Sequence, residues 1–148
     1  MGTLPTRFER YVAMGDSSTE GLDDPDGSGG FRGWSRRLAA RIARAQGGLL
    51  YANFGVRGLT TRQIRDRQLE PALAMRPDLA TVFSGTNDVI GRRFDAEVVG
   101  RDMEAMQRAL IAGGATVLTF NLPDLTPIMP VARRIAPRIL ALNQAHRA

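Results

Sequence analysis

Tyr11-Val12-Ala13-Met14-Gly15-Asp16-Ser17-Ser18 sets a short apolar run directly against a polar turn. The run has the length of a buried strand, and Gly, Asp and Ser are turn formers. The stretch therefore places a serine at the C-terminal end of the first strand. In an open α/β sheet that end of a strand is where ligands bind and chemistry takes place.

Working outward, short apolar runs alternate with amphipathic segments, the pattern of βαβ units and a parallel sheet. A polar, Gly-rich loop is expected over 18–33 and a helix over 34–46, with Trp34, Leu38, Ile42 and Ala45 on one face. Strand two is expected over 49–54, a helix over 61–69 with Pro71 opening another turn, and strand three over 79–84. A long helix over 95–112 turns Val98, Val99, Met103, Met106 and Leu110 inward, and Gly113-Gly114 stops it. Strand four covers 116–120, and a Pro-rich loop leads to a last helix over 131–147 carrying Ile135, Ile139 and Leu142 on one face.

Two further motifs sit at strand ends: Asn53-Phe54-Gly55-Val56-Arg57-Gly58 after strand two, and Gly85-Thr86-Asn87-Asp88 after strand three. Each has a plain structural explanation taken alone. Gly-Asp-Ser is a turn, Gly58 suits the turn before a helix, and Asn87 suits a cap or an Asx-turn. Together, at the carboxyl ends of three strands, they supply the residue types that acyl transfer needs. A serine hydroxyl attacks once a base takes its proton. The oxyanion that forms needs preorganised donors, which a glycine backbone N–H and an asparagine amide supply.

Over nearly the whole chain these blocks resemble the SGNH (GDSL-type) serine hydrolases. The resemblance implies Ser17 as nucleophile, an oxyanion hole from the backbone N–H groups of Ser17 and Gly58 with the Asn87 side chain, and supporting roles for Asp16 and Asp88. It also implies a three-layer α/β/α sandwich with a flavodoxin-like parallel sheet of order 2-1-3-4. Ser18 stands where the family name has Leu. The family's C-terminal Asp-x-x-His block, which follows a fifth strand, is missing from the sequence. The one histidine, His146, follows Asn143-Gln144-Ala145, with Asn in the Asp position, and reads as a helix-surface residue.

The remaining sequence bounds partners. At 148 residues the chain is one domain, residues 1–148, and is expected to be C-terminally truncated. It has no cysteine and one histidine, so no disulfide framework, thiolate site or zinc site is expected. No metal or organic cofactor is implied, and the partner expected is a small-molecule ester. The net charge is +5, all of the basic residues are Arg, and they are scattered without interleaved aromatics. Nucleic-acid binding is not expected from that pattern. Neither Gly27–Gly33, which breaks G-x-G-x-x-G at Arg32, nor the Asp23–Gly27 stretch, which lacks a closing Glu, completes a ligand-binding loop. No apolar leader or membrane span is seen, so a cytoplasmic location is expected.

The expected function is serine-dependent hydrolysis of a carboxylic ester. The alternative is an inactive SGNH-like binding or interaction module without the His/Asp pair. A missing fifth strand would leave the edge of strand four open, and open edges invite pairing with another chain. If the 148 residues are the whole chain, a dimer or swapped assembly is therefore expected in sedimentation velocity, and a clean monomer counts against it.

Overall fold

In a computed structural model, which describes residues 7–146, the chain forms a parallel sheet with helices on both faces. The elements run β1 (Arg10–Gly15), α1 (Ser17–Glu20), α2 (Gly33–Gln46), β2 (Leu50–Asn53), α3 (Thr61–Ala74), β3 (Leu79–Phe83), α4 (Thr86–Ile90), α5 (Ala96–Ala112), β4 (Thr116–Thr119) and α6 (Ala136–Ala145). A 3-10 turn, Pro130–Arg134, precedes α6. The four strands lie in the order β2-β1-β3-β4, all parallel, the order that the family resemblance implies.

Strand alternation sorts the core into two layers. Val12 and Met14 of β1, with Ala80 and Val82 of β3, face Ile64 of α3 and Met103, Met106 and Leu110 of α5. Tyr11, Ala13 and Leu79 face the other way, against Leu38, Ala39 and Ile42 of α2. Buried on both faces, β1 and β3 read as continuous apolar runs, which is why their pattern was legible. A smaller cluster, Val89, Val99, Leu122, Ile139 and Leu142, joins α4, α5 and α6.

Polar groups lock the helices in place. Thr60 and Gln63 form a reciprocal capping box at the start of α3. Asp95 caps α5 by accepting from Glu97 and Val98. Asp102, buried on α5, takes ion pairs from Arg62 (3.1 Å) and Arg65 of α3. A buried carboxylate without such partners would be strongly destabilising. At the carboxyl edge of the sheet, on the α2 side, Trp34, Phe83 and Phe120 form an aromatic trio. The Trp34 and Phe120 centroids are 5.0 Å apart, and those of Phe83 and Phe120 5.3 Å.

The structure corrects several expectations. Residues 18–20, expected in the loop, belong to a short helix that starts at Ser17, where Asp16 accepts from the Ser18 N–H as an N-cap. Pro71 does not begin a new turn; it lies inside a continuous α3. It sits exposed in the last turns, where its missing N–H forfeits one bond. The inward face of α2 is Ser35, Leu38, Ala39 and Ile42, and Ala45 is exposed. The last helix is broken at Ile135 into the 3-10 turn and α6, and its expected end at residue 147 lies outside the described residues. β4 pairs with β3 only, so among the described residues its outer edge is unpaired, with Leu118 exposed beside it. No helix among them is long and apolar enough to cross a membrane.

Met106 is fully buried between α5 and the sheet. Met106→Ala is expected to destabilise the fold by about 2–5 kcal/mol, read as a lower urea midpoint at unchanged slope.

Candidate active site

The sequence-predicted residues all fall at the carboxyl edge of the sheet, on three loops that bond to one another. The first loop begins where β1 stops. Gly15 there donates its N–H to Gln68 Oε1 and accepts from Gln68 Nε2, both at 2.9 Å. A side chain at this position would run into Thr19 and the Phe83 carbonyl, so only glycine fits. Asp16 then caps α1 through Oδ1, at 3.0 Å from the Ser18 nitrogen. Ser17, half-buried, stands at the N-terminal end of that helix, where backbone N–H groups face outward.

The second loop, 54–60, is tied to the first. The Val56 N–H donates to the Gly15 carbonyl at 3.2 Å. Arg57 gives its backbone N–H to Glu20 Oε2 at 3.0 Å and closes a bidentate ion pair with the same carboxylate, also at 3.0 Å. Its guanidinium also lies 5.5 Å from the centre of the Phe31 ring. This leaves Gly58 exposed with φ +80, a left-handed conformation that L side chains rarely adopt. Among the described residues, no protein acceptor takes the Gly58 N–H.

The third loop is held to the second. Asn87 Nδ2 donates to the Leu59 carbonyl at 2.9 Å, setting the amide beside Gly58. An amide nitrogen carries two protons, and the second has no partner among the described residues. Asp88 Oδ2 accepts from both the backbone N–H (2.9 Å) and the hydroxyl (2.8 Å) of Thr61. Since Thr61 donates to Asp88, the Ser84 hydroxyl donates to Thr61, at 2.9 Å. The sequence reading did not find Gln68, Thr61, Ser84 or the Glu20–Arg57 pair. Only the Thr60–Gln63 box beside Thr61 had a local signature; the others become neighbours through the fold.

The two aspartates differ electrostatically. Asp88 is satisfied by Thr61. Asp16 Oδ2 is buried with no hydrogen-bond partner. Burial pushes the Asp16 carboxyl above its ordinary range, against the lowering effect of the Ser18 N–H, and the Asp88 charge adds to the rise.

His146 is not in this site. It caps the C-terminus of α6, half-buried against α5, in a cavity of about 660 Å³ lined by Gly100, Met103, Glu104 and Gln107. Its Nε2 has no partner among the described residues, and burial lowers its pKa.

The family description GDSL-like lipase/acylhydrolase matches residues 13–148. The chain belongs to the GDSL-like lipase/acylhydrolase family. No curated protein matches it. Solved structures similar to this GDSL-family chain include LAE5, an alpha/beta hydrolase enzyme from the metagenome of Lake Arreo. That likeness has a TM-score of 0.78 at 18% identity, over 99% of this chain and 74% of the other. A lipase/acylhydrolase from Enterococcus faecalis matches with a TM-score of 0.72 at 24% identity, over 94% of this chain and 69% of that one. An acetylxylan esterase from Geobacillus stearothermophilus, crystallised as a catalytic mutant, matches with a TM-score of 0.72 at 16% identity, over 98% and 74%. At these identities the likeness establishes the shared fold. The family and these neighbours are hydrolases, and the GDSL family's chemistry is ester hydrolysis in general.

Asp16 makes a pH prediction for this GDSL-family fold. Its folded-state pKa lies above the ordinary 3.8. Well below that value the carboxyl is neutral in both states; as pH rises through the folded-state pKa the unfolded chain ionises first, and stability falls. Asp16→Asn keeps the Oδ1 acceptor and removes the charge. It is expected to melt above the wild type at pH 7 and close to it at pH 3, and equal shifts at both would show that charge is not the cause.

Proposed function

We propose that this chain carries the nucleophile and the oxyanion hole of a serine esterase acting on a carboxylic ester with a modest acyl group. Ser17 Oγ attacks the ester carbonyl. The negative charge that develops is received by the N–H groups of Gly58 and Ser17 and by the second amide proton of Asn87. Collapse of the tetrahedral intermediate expels the alcohol and leaves an acyl group on Ser17, which water then removes. The observation that carries this reading is the hydrogen bond from Asn87 to Leu59 at 2.9 Å. It holds a side-chain donor beside the Gly58 donor, and among the described residues neither the Gly58 N–H nor the second Asn87 amide proton has an acceptor.

Asp16 and Asp88 act in support, one by capping the helix that starts at Ser17, the other by anchoring α3 behind Gly58. Donors fixed before the reaction cost no reorganisation when charge appears, and removing one lowers the rate by about 10²–10³-fold. Proton transfer is the step for which these loops show no histidine. Loss of a triad member lowers kcat by on the order of 10⁴–10⁶-fold. That point favours a second reading, a scaffold that binds esters without turning them over, because His146 lies against α5 and away from Ser17.

Mass spectrometry of the protein before and after a fluorophosphonate probe separates the two. A single adduct, lost in Ser17→Ala and formed about 10²–10³-fold more slowly in Asn87→Ala, supports the esterase reading. An unlabelled wild-type protein would assign the site to binding alone.

A further inference from the structure

The helix α2 has a charge pattern unlike that of the other long helices. It carries Arg36, Arg37, Arg41 and Arg44 and no acidic residue. In α3 the arginines are interspersed with Asp66 and Glu70, and in α5 with Glu97, Asp102 and Glu104. Residues three and four apart on a helix are neighbours, so Arg37, Arg41 and Arg44 form one like-charged row, an arrangement that opposes the helix rather than supporting it. Together with Arg32, Asp26 and Ala40, these α2 arginines line a surface groove of about 410 Å³. Along the sequence the arginines look scattered, yet 5 of the 20 basic residues meet in this one groove.

The loop before α2 compensates only the first part of the row. Asp26 pairs with Arg36 at 2.7 Å and Asp24 with Arg37 at 2.9 Å, and Arg32 donates to the Pro25 carbonyl at 3.1 Å. These bonds hold three guanidinium groups in place along the upper wall. Arg41 and Arg44 form no ion pair among the described residues, and both are exposed. Arg44 gains from the negative end of the helix; Arg41, a turn earlier, gains less.

We propose that this groove is an anion-binding site, separate from Ser17, for a small soluble ligand bearing two linked phosphoryl groups. Guanidinium forks match phosphate oxygens in pairs, which a point-charge cation does not. From Arg37 to Arg44 the row spans about 10 Å of helix axis, longer than one tetrahedral anion and suited to two in tandem. No aromatic side chain lines the groove to stack a base, and Ala40 is its one apolar residue. A single-stranded nucleic acid or an inserting membrane surface would call for such groups.

The test titrates pyrophosphate into the intact protein at low ionic strength, followed by calorimetry. Saturable one-to-one binding is expected, weakening as salt is added. Replacing both unpaired guanidinium groups, Arg41→Ala with Arg44→Ala, should weaken it by about 10-fold or more. The control, Arg133→Ala with Arg134→Ala, removes the same charge outside the groove and should bind as the wild type does. Circular dichroism checks that both variants keep their helices. No saturable binding by the wild type overturns the proposal, and so does an equal loss in the two double variants. Binding to phosphatidic acid vesicles without binding to pyrophosphate overturns the assignment to a soluble ligand.

Discussion

The amide of Gln68 closes the backbone of Gly15 from both sides, donating to its carbonyl and accepting from its N–H. A side-chain amide is the same functional group as a peptide bond, so it stands in for a strand partner where β1 runs out. A buried peptide group left unsatisfied there would cost about 1–3 kcal/mol. With that group satisfied, the chain can leave the sheet at Gly15 and start α1 within two residues. Three residue choices then depend on one another. Gly15 must lack a side chain because Thr19 and the Phe83 carbonyl occupy its place, Asp16 must cap, and position 17 falls at the helix start.

From that point the site is braced loop to loop rather than loop to core. The Arg57–Glu20 pair joins the second loop to α1, Asn87 joins the third loop to the second, and the chain Ser84 to Thr61 to Asp88 joins the third loop to the start of α3. Arg57 and Glu20 are both partly exposed, so their attraction in itself contributes little. Their value is geometric, because the same carboxylate also receives the Arg57 backbone N–H and so fixes the turn that leads to Gly58. Asp16 is held at this edge at an electrostatic cost.

The fold was legible because its two central strands are buried on both faces, and runs such as 11–14 and 79–83, apolar but for the buried Thr81, leave little choice of period. The positions of Ser17, Gly58 and Asn87 at strand ends followed from that pattern and from the order of the motifs. What the sequence concealed was of two kinds. Proline at 71 reads as a break, but an exposed ring near a helix C-terminus is tolerated. The residues that brace the site are far apart along the chain. Gln68 and Gly15 are 53 positions apart and Arg57 and Glu20 are 37 apart, with nothing local to mark them. The row of Arg37, Arg41 and Arg44 is spaced for one side of a helix, but its meeting with Arg32 and Asp26 of the preceding loop comes from the fold.

Trp34 is the single tryptophan of the sequence, and it stands within the aromatic trio at the carboxyl edge of the sheet. Its indole N–H is buried, without a partner among the described residues. Phe83, which it meets edge-on, is the last residue of β3 before the loop that carries Asn87. The whole tryptophan emission of the molecule therefore originates at the rim of the candidate site. The protein carries its own optical reporter, and a change in what surrounds that rim is readable in the spectrum without a label.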